Sequence, residues 1–483
     1  MPARLPLLRK TPFHLDPRPL AECSSAHAGL LSASRALRSL QVPGAVEANV
    51  SIKQRARGLS EAQYVEGALL LHIAGGECYE DAAVLAEDRC LERGLGYAPP
   101  RPDALRKFVE AFHDPEWEKE RPAAEVQKTF LPEPTPVLKG LGQAATALVH
   151  QIARRYTAAG QPQPRKLSGL DGDATIIESQ KRAAKWTYEG TRGYQPLVVV
   201  WAELDGAVAD EFREGNVPAR QAPLACVQAG FAALPDGITQ RYFRGDSACH
   251  QNALIGWLDH PDRAAEPGGL IGFVISAVQS EPLAAALRAV AERQWQTFGR
   301  EADGTLRQWA ELDFVPGAAY EQKQARPLRY LGLRLAKPQG ELFADGTRHH
   351  YHAVVSNRRE RGDRLLLWHR EKAGTVEHTH EEVKNGLGGG RLPSGKFGAN
   401  AAWFRLALMA YNGVSAMRGL ALGDSLRTAK LKRLRLWVFA LCGRMSCSGD
   451  TLRLRLSTDA AGIERLRKIW EVFWLPTQAT FSG

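Results

Sequence analysis

KLSGLDGDATIIESQ, residues 166–180, alternates like a β-strand and carries two acids in its middle. Successive side chains of a strand point to opposite faces, so Asp171 and Asp173 share one face and Leu170 and Ala174 share the other. Aspartate is a poor strand former, and two like charges on one face repel each other. The stretch therefore predicts a strand whose acidic face opens on a cation or, alternatively, on solvent.

The segments that follow predict a mixed α/β sheet around this first strand. Residues 193–216 read as two strands joined near Asp205 and Gly206, a strong hairpin signal. Residues 222–237 and 249–260 have the spacing of helices, while 238–246 and 268–278 have that of strands, the former ending at Asp246. The predicted order is three strands, a helix, a strand, a helix and a strand.

A chain of 483 residues exceeds what one hydrophobic core usually serves, which predicts several domains. Residues 1–160 read as short helices with glycine stops, which suits a DNA-binding region and equally a plain helical bundle. Residues 161–279 form the first half of the α/β core, and the turn-rich β runs of 280–368 predict a β-rich insertion subdomain. Residues 369–483 complete the core and add a basic C-terminal hairpin and helix.

The formal net charge is +10, and its distribution is informative. From Arg391 to the end there are 15 Lys or Arg against 5 Asp or Glu, so this last fifth accounts for the whole surplus. Such a surplus favours a polyanionic partner, nucleic acid before a membrane, over a merely solvated basic face. On the predicted strand 430–438, Arg433 and Arg435 share one face and are candidate DNA contacts.

No run of about 18 apolar residues occurs, which predicts no membrane span. The first residues are basic but lack an apolar segment before a cleavage site, so a cytoplasmic protein is expected. The seven cysteines form no C-x-x-C pair and no zinc spacing, which predicts reduced thiols.

Three carboxylates stand at positions that the predicted fold brings together: Asp173 on the first strand, Asp246 at the end of the fourth, and Glu377 in the first turn of a helix. Converging carboxylates need a cation, or one of them must take up a proton. Hard oxygen ligands without nearby cysteine favour Mg²⁺ or Mn²⁺ over zinc. Two such ions about 4 Å apart can activate the attacking oxygen and stabilise the leaving oxygen of a phosphodiester.

Each acid also has a plainer interpretation. Asp246 in RGDSAC has the position of a turn former or helix N-cap. Glu377 has that of a surface acid that complements a helix dipole. The prediction of a metal site therefore depends on the combination: all three acids lie on suitable elements, in a suitable order, in a chain with a basic tail.

These residues resemble bacterial insertion-sequence transposases of the DDE class, the cut-and-paste type. The similarity lies in D-x-T at 173–175, GYQPL at 193–197, REGN at 213–216 and RGDS at 244–247. It continues into the buried segment FGANAAWFRLALMAYN, so the motifs cover about residues 167–412. The family's third acid lies in a Y-x2-R-x3-E-x6-K signature, and Glu377 with Lys384 keeps its second half. Arg370 and Ala373 stand where its Tyr and Arg are expected.

The resemblance implies an RNase H-like core with a β-rich insertion before the third acid, and a catalytic, metal-binding triad of Asp173, Asp246 and Glu377. The D-x-T match selects Asp173 over Asp171 as the first ligand. Lys384 shares a helix face with Glu377 and would contact a phosphate beside the metal. Arg370 and Lys372 would supply the phosphate contact that is lost with the Tyr and Arg of the signature's first half.

The implied function is a DNA transposase that cleaves and joins strands at the ends of its insertion sequence by metal-dependent phosphoryl transfer. Its partner would be double-stranded DNA, and the resemblance implies a homodimer on paired ends. Two alternatives stay open: a catalytically silent DNA-binding protein derived from such an element, and a plain metal-dependent nuclease.

Other candidate residues favour structural roles. The histidines at 349, 350, 352, 378 and 380 lack a third metal ligand at a known spacing and are predicted to be surface residues. Trp295 and Trp309 are most simply core residues, although one of them could stack on a base flipped out near the cut.

Overall fold

The computed structural model describes residues 23–474 except 54, 56, 124, 125, 127, 161–165, 267, 317–327 and 450. Its first part is helical, as predicted. The elements are β1 (Ser24–Ser25), α1 (Leu30–Ser39), α2 (Val42–Asn49), α3 (Glu61–Ala74), α4 (Ala82–Ala86), α5 (Arg89–Leu95), α6 (Pro102–Glu110), α7 (Trp117–Glu120) and α8 (Pro136–Ala158).

Helix α3 shows how local sequence sets the bounds of these helices. Ser60 accepts from the Gln63 backbone N–H at 3.2 Å, and the Gln63 side chain accepts from the Ser60 N–H at 2.8 Å, which is a capping box. The helix ends at Gly75, whose φ of 98° lies in the left-handed region that glycine adopts at little cost. The predicted glycine stop is therefore confirmed.

The middle of the chain contains the predicted core strands and helices in the predicted order, and three short strands that were not predicted lie between the first and second core strands. Its elements are β2 (Leu167–Ala174), β3 (Ile177–Glu178), β4 (Lys185–Trp186), β5 (Arg192–Tyr194), β6 (Leu197–Trp201), β7 (Gly206–Glu211), α9 (Pro223–Ala232), β8 (Gln240–Gly245), α10 (Asn252–Leu258) and β9 (Ile271–Ser276).

Five of these strands form the core sheet, in the order β7-β6-β2-β8-β9. Strand β2 pairs antiparallel with β6 and parallel with β8, β6 pairs antiparallel with β7, and β8 pairs parallel with β9. The first core strand, β2, is thus central, with two antiparallel strands on one side and two parallel strands on the other. This is the RNase H-like arrangement. The predicted fold class is confirmed.

The predicted insertion contains α11 (Glu281–Ala289), β10 (Gln296–Arg300), β11 (Leu306–Leu312), β12 (Arg329–Ala336) and β13 (His349–Ser356). Its four strands form an antiparallel run whose last member, β13, pairs with β9 through Val354 opposite Ser276. The insertion therefore continues the core sheet into one nine-stranded sheet within the described residues.

The remaining elements are α12 (Gly362–Arg370), α13 (Val376–Gly386), α14 (Phe397–Leu420), α15 (Asp424–Arg427), α16 (Leu431–Leu434), β14 (Gly443–Ser448), β15 (Thr451–Leu456) and α17 (Ala460–Val472). Helix α14 is buried on nearly all sides, as its uniformly apolar sequence predicts. It packs against α3, α8 and β7. The Asn412 side chain bonds both the backbone N–H and the C=O of Ala207 at 2.8 Å, which attaches α14 to the sheet edge. None of the helices in the described part of the chain combines the length and apolar character of a membrane span.

Two predicted strands are wrong. Residues 364–369 belong to α12, because a short apolar run does not distinguish a strand from a buried helix. Residues 430–438 form α16 and a π-helical turn over 435–439 rather than a strand carrying Arg433 and Arg435. There the buried residues are Leu431, Leu434 and Val438, which have helical spacing. The basic hairpin itself exists, as β14 and β15, but begins only at Gly443.

Candidate active site

The two acids of strand β2 have different surroundings. Asp171 is fully buried and forms a bidentate ion pair with Arg244 on the neighbouring strand β8, at 2.6 Å from Nε and 2.8 Å from Nη2. The Thr375 hydroxyl also donates to Asp171. Asp173 is only partly buried and faces Lys372, whose Nζ lies 3.1 Å from its Oδ2. Asp171 is thus satisfied by protein groups, whereas Asp173 is partly exposed and directly precedes Ala174 and Thr175, which line a cleft.

The parallel pairing of β2 and β8 sets the position of the second acid. Gly172 lies opposite Gly245 in this register, so Asp173 and Asp246 come next on two neighbouring strands that run in the same direction. Burial first, and the Asp173 carboxylate second, raise the pKa of Asp246. Asp246 also accepts from the Ala248 N–H at 3.0 Å, so it is the predicted cap as well as a neighbour of Asp173.

Glu377 lies in the first turn of α13 and is exposed. The link between it and the two aspartates is Lys372, in the short turn that precedes α13. Burial opposes the charge of Lys372, yet the carboxylates of Asp173, Asp246 and Glu377 offset this and leave its pKa above the ordinary value. One ammonium group therefore interacts with all three predicted acids.

This arrangement fits a divalent metal ion in part. Two hard carboxylates, Asp173 and Asp246, stand side by side, and a cation already neutralises them. In the part of the chain that the structure describes, no three His, Cys, Asp or Glu side chains converge closely enough to hold a metal. The predicted third acid, Glu377, does not complete such a group with Asp173 and Asp246.

Two cavities flank the acids. One, of about 840 Å³, is lined by Thr175 just after β2, by Lys384 on α13 and by Tyr188. The other, of about 570 Å³, is lined by Asp246 and Arg370 together with residues of the β-rich insertion. The acids therefore lie between two open clefts that each contain one of the basic residues predicted to contact phosphate.

Lys384 and Arg370 differ in how they are held. Lys384 Nζ donates to the Ile176 carbonyl at 2.6 Å and lies 3.3 Å from Thr175 Oγ1, and burial lowers its pKa. The Arg370 side chain is 55% exposed, with Glu301 no closer than 4.0 Å. Arg370 is thus the more accessible of the two.

Arg433 and Arg435 do not share a surface as predicted. Arg433 is exposed, but Arg435 is half-buried, and its guanidinium donates to the carbonyls of Ile73 and Gly386. Burial lowers the pKa of Arg435. A phosphate contact by Arg435 is inconsistent with this geometry because a helix, not a strand, carries the residue and turns it inward. Arg453 and Arg455 on β15 are exposed.

Several other sequence candidates are structural. Trp295 and Trp309 are only 7% and 6% exposed, so the core interpretation holds and neither ring offers a face to a base. His380 is buried beside Asp173 rather than on the helix surface, and burial lowers its pKa to about 4. The described cysteines are all free.

Arg244 is the main site residue that the sequence did not identify. In the sequence Arg244 is an ordinary strand residue, two positions before Asp246. Only its position opposite Asp171 in the sheet reveals its role. Its guanidinium also donates to the Trp368 carbonyl at 2.7 Å and lies 4.9 Å from that indole. This fixes α12 next to the acidic strand.

A family model described as transposase DDE domain group 1 matches residues 25–474. Among solved structures, the chain is similar to the cryo-EM structure of a piggyBac transposase synaptic complex with hairpin DNA, at 11% identity and a TM-score of 0.40. That match covers 94% of this chain and 87% of the other. The strand order, and not this likeness, identifies the core. A comparison with curated proteins found no match.

Proposed function

This chain belongs to the transposase DDE domain group 1 family, and on that premise we propose that Asp173, Asp246 and Glu377 are the acids with which it cleaves and joins DNA. The family is that of DNA transposases, which act on DNA and depend on divalent metal ions. The observation that carries the residue assignment is the parallel register of β2 and β8, which places Asp173 and Asp246 directly after the paired Gly172 and Gly245. Lys372 lies 3.1 Å from Asp173 and precedes the helix that carries Glu377.

Asp173, rather than Asp171, is the first acid of the site. Asp171 is fully buried and accepts from two nitrogens of Arg244 and from the Thr375 hydroxyl, so its charge is already compensated by protein groups. Its role is to hold β8, and thereby Asp246, in register beside β2.

The three acids would hold Mg²⁺, whose preferred ligands are carboxylate oxygens. When bound, it supplies charge stabilisation for the attacking and leaving oxygens of an in-line phosphoryl transfer. The protein places Asp173 and Asp246 at the same end of two parallel strands, with the Lys372 ammonium 3.1 Å from Asp173. Cleavage by water and joining by a 3′-hydroxyl use the same geometry, so one site serves both steps.

The two clefts beside the acids would hold the DNA backbone. Lys384 in one and Arg370 in the other can each meet a phosphate next to the reacting one. Asp173 and Asp246 would hold the metal ion, which would supply the positive charge that neutralises them. Lys372 would then be available to contact phosphate oxygens of the DNA.

The finer assignment is a cut-and-paste transposase of a bacterial insertion sequence that works as a homodimer on paired element ends. It is supported by the D-x-T, GYQPL, REGN and RGDS motifs and by the Glu377-x6-Lys384 spacing. The helical residues 23–160 and the exposed arginines of the C-terminal hairpin are the proposed DNA-binding surfaces.

The test uses purified protein and DNA that carries the element ends taken from the sequence flanking the gene. Asp173→Ala, Asp246→Ala and Glu377→Ala should each abolish nicking and joining with Mg²⁺ while end binding persists. Glu341→Ala, which removes an exposed acid between β12 and β13, is the control and should stay active. Wild-type binding without cleavage would point to a silent DNA-binding protein, and cleavage without joining to a nuclease.

A further inference from the structure

A small hairpin beside the acids presents two exposed aromatic rings. Strands β4 and β5 pair antiparallel, with Trp186 opposite Arg192, and the turn between them carries Tyr188. Tyr188 is 76% exposed and Trp186 is 46% exposed. Large aromatic rings usually bury most of their area, so this degree of exposure at a cleft indicates a surface that contacts a partner.

The base of this hairpin is rigidly held. Lys185 is buried, and its Nζ donates to the carbonyls of Pro122 at 2.6 Å and Val126 at 3.1 Å. At the tip, the Thr187 N–H donates to the Thr191 carbonyl at 2.7 Å. The tip therefore projects from an anchored base, and its rings are not positioned by packing onto the protein core.

Tyr188 lies at the edge of the proposed active site. It lines the cleft of about 840 Å³ together with Thr175 and Lys384. Burial and Glu189 raise the pKa of its phenol first, but Asp173 and Asp246 also contribute, which places the ring within electrostatic range of both acids. Thr175 follows Asp173 by two residues, so DNA held in this cleft would meet the ring close to the acidic strand.

We propose that Tyr188 stacks on an unpaired base of the DNA strand next to the phosphate that is cut. The proposal rests on the proposed function. Bases stack on aromatic faces whatever their sequence, which suits an enzyme that must separate strands at the cut. In the described part of the chain no other ring stacks on Tyr188, whereas Trp186 has the Arg192 guanidinium 5.1 Å from its ring. Trp295 and Trp309 are buried and do not compete for this role.

The test pairs the ring with the base in a double-mutant cycle. Tyr188→Ala, Tyr188→Phe and wild type are compared on end DNA, and on the same DNA with an abasic residue placed in turn at each position around the cut. Trp474→Ala, which removes an exposed ring after α17, is the matched control. On intact DNA, Tyr188→Ala should lower cleavage at least about fivefold. Tyr188→Phe and Trp474→Ala should behave like wild type.

At one abasic position the difference between Tyr188→Ala and wild type should disappear, because the ring has no base to hold. The salt dependence of binding should be equal in both proteins, since stacking neutralises no phosphate. Full activity of Tyr188→Ala, a defect shared by Tyr188→Phe, or a defect that persists at every abasic position would overturn the inference. A wild type that neither binds nor cuts end DNA would instead refute the proposed function.

Discussion

Lys372 Nζ lies 3.1 Å from Asp173 Oδ2 and joins the turn before α13 to the acidic strand β2. This ion pair holds the turn and the strand together without a metal ion. It also keeps Asp173 and Asp246 from repelling each other. A divalent ion held by Asp173 and Asp246, as proposed, would neutralise the same two carboxylates that Lys372 neutralises.

Lys372→Met should destabilise the metal-free protein and increase its response to metal. Removing one partner of this largely buried pair leaves charge uncompensated and should cost about 1–3 kcal/mol. Addition of Mg²⁺ or Mn²⁺ should then raise the unfolding midpoint more in the variant than in wild type. Lys396→Met, which breaks the more exposed pair with Glu110, is the control. Equal metal-induced rises in all three proteins would contradict the shared role.

Asp171→Asn and Asp173→Asn should separate stability from catalysis. Asp171→Asn leaves Arg244 buried without its carboxylate, which should cost about 3–5 kcal/mol in chemical unfolding. Asp173→Asn should change stability less and abolish cleavage, because its carboxylate is partly exposed and is the proposed metal ligand. A stable, inactive Asp171 variant beside an active Asp173 variant would reverse the assignment of the first acid.

Stability should fall between pH 6.5 and 4 because of His72. The ring is buried, its Nδ1 donates to the Leu387 carbonyl at 2.6 Å, and burial lowers its pKa from 6.5 to about 4. Below pH 6.5 His72 takes up a proton in the unfolded chain but stays neutral in the folded chain. The stability that neutral His72 contributes is therefore complete above pH 6.5 and is lost as the pH falls towards 4. The total is about 3 kcal/mol, of which about 2 is lost by pH 5.

The measurement is chemical unfolding at pH 7, 6 and 5 for wild type and His72→Asn. Asparagine keeps a donor for Leu387 but does not titrate, so its stability should depend less on pH. The difference between the two proteins isolates His72 from the other buried histidines. Parallel curves for the two proteins would show that His72 does not cause the loss.

Arg433→Gln should affect DNA binding and Arg435→Gln should affect stability, although the two residues are only two positions apart. Arg433 is exposed, and if it meets a phosphate its loss should lower the slope of log affinity against log salt by about 0.9. Arg435→Gln removes the donor to Ile73 and Gly386 and should lower stability by about 1–3 kcal/mol without changing the slope. A slope that falls only with Arg435→Gln would contradict the structure.

Local patterns in the sequence were sufficient for the core of this protein. Alternation in 166–176 and 238–246, glycine stops and the uniformly apolar segment of α14 each depend on a few neighbouring residues, so the order of the core strands and helices along the chain could be predicted. Once β2 and β8 are parallel neighbours, Asp173 and Asp246 must lie side by side, because each follows a glycine of the same register pair. These two acids were therefore accessible to sequence reasoning.

Tertiary structure alone decided which groups meet those acids. Arg244 and Asp171 are 73 residues apart, and Lys372 and Asp173 are 199 apart, so no local pattern could pair them. The same holds for Arg435. The spacing of the basic residues in 431–438 fits a strand as well as a helix, and only the burial of Leu431, Leu434 and Val438 selects the helix. Periodicity reports which face of an element is buried, whereas ion pairs depend on distances between elements that are set only when the sheet and its helices have packed.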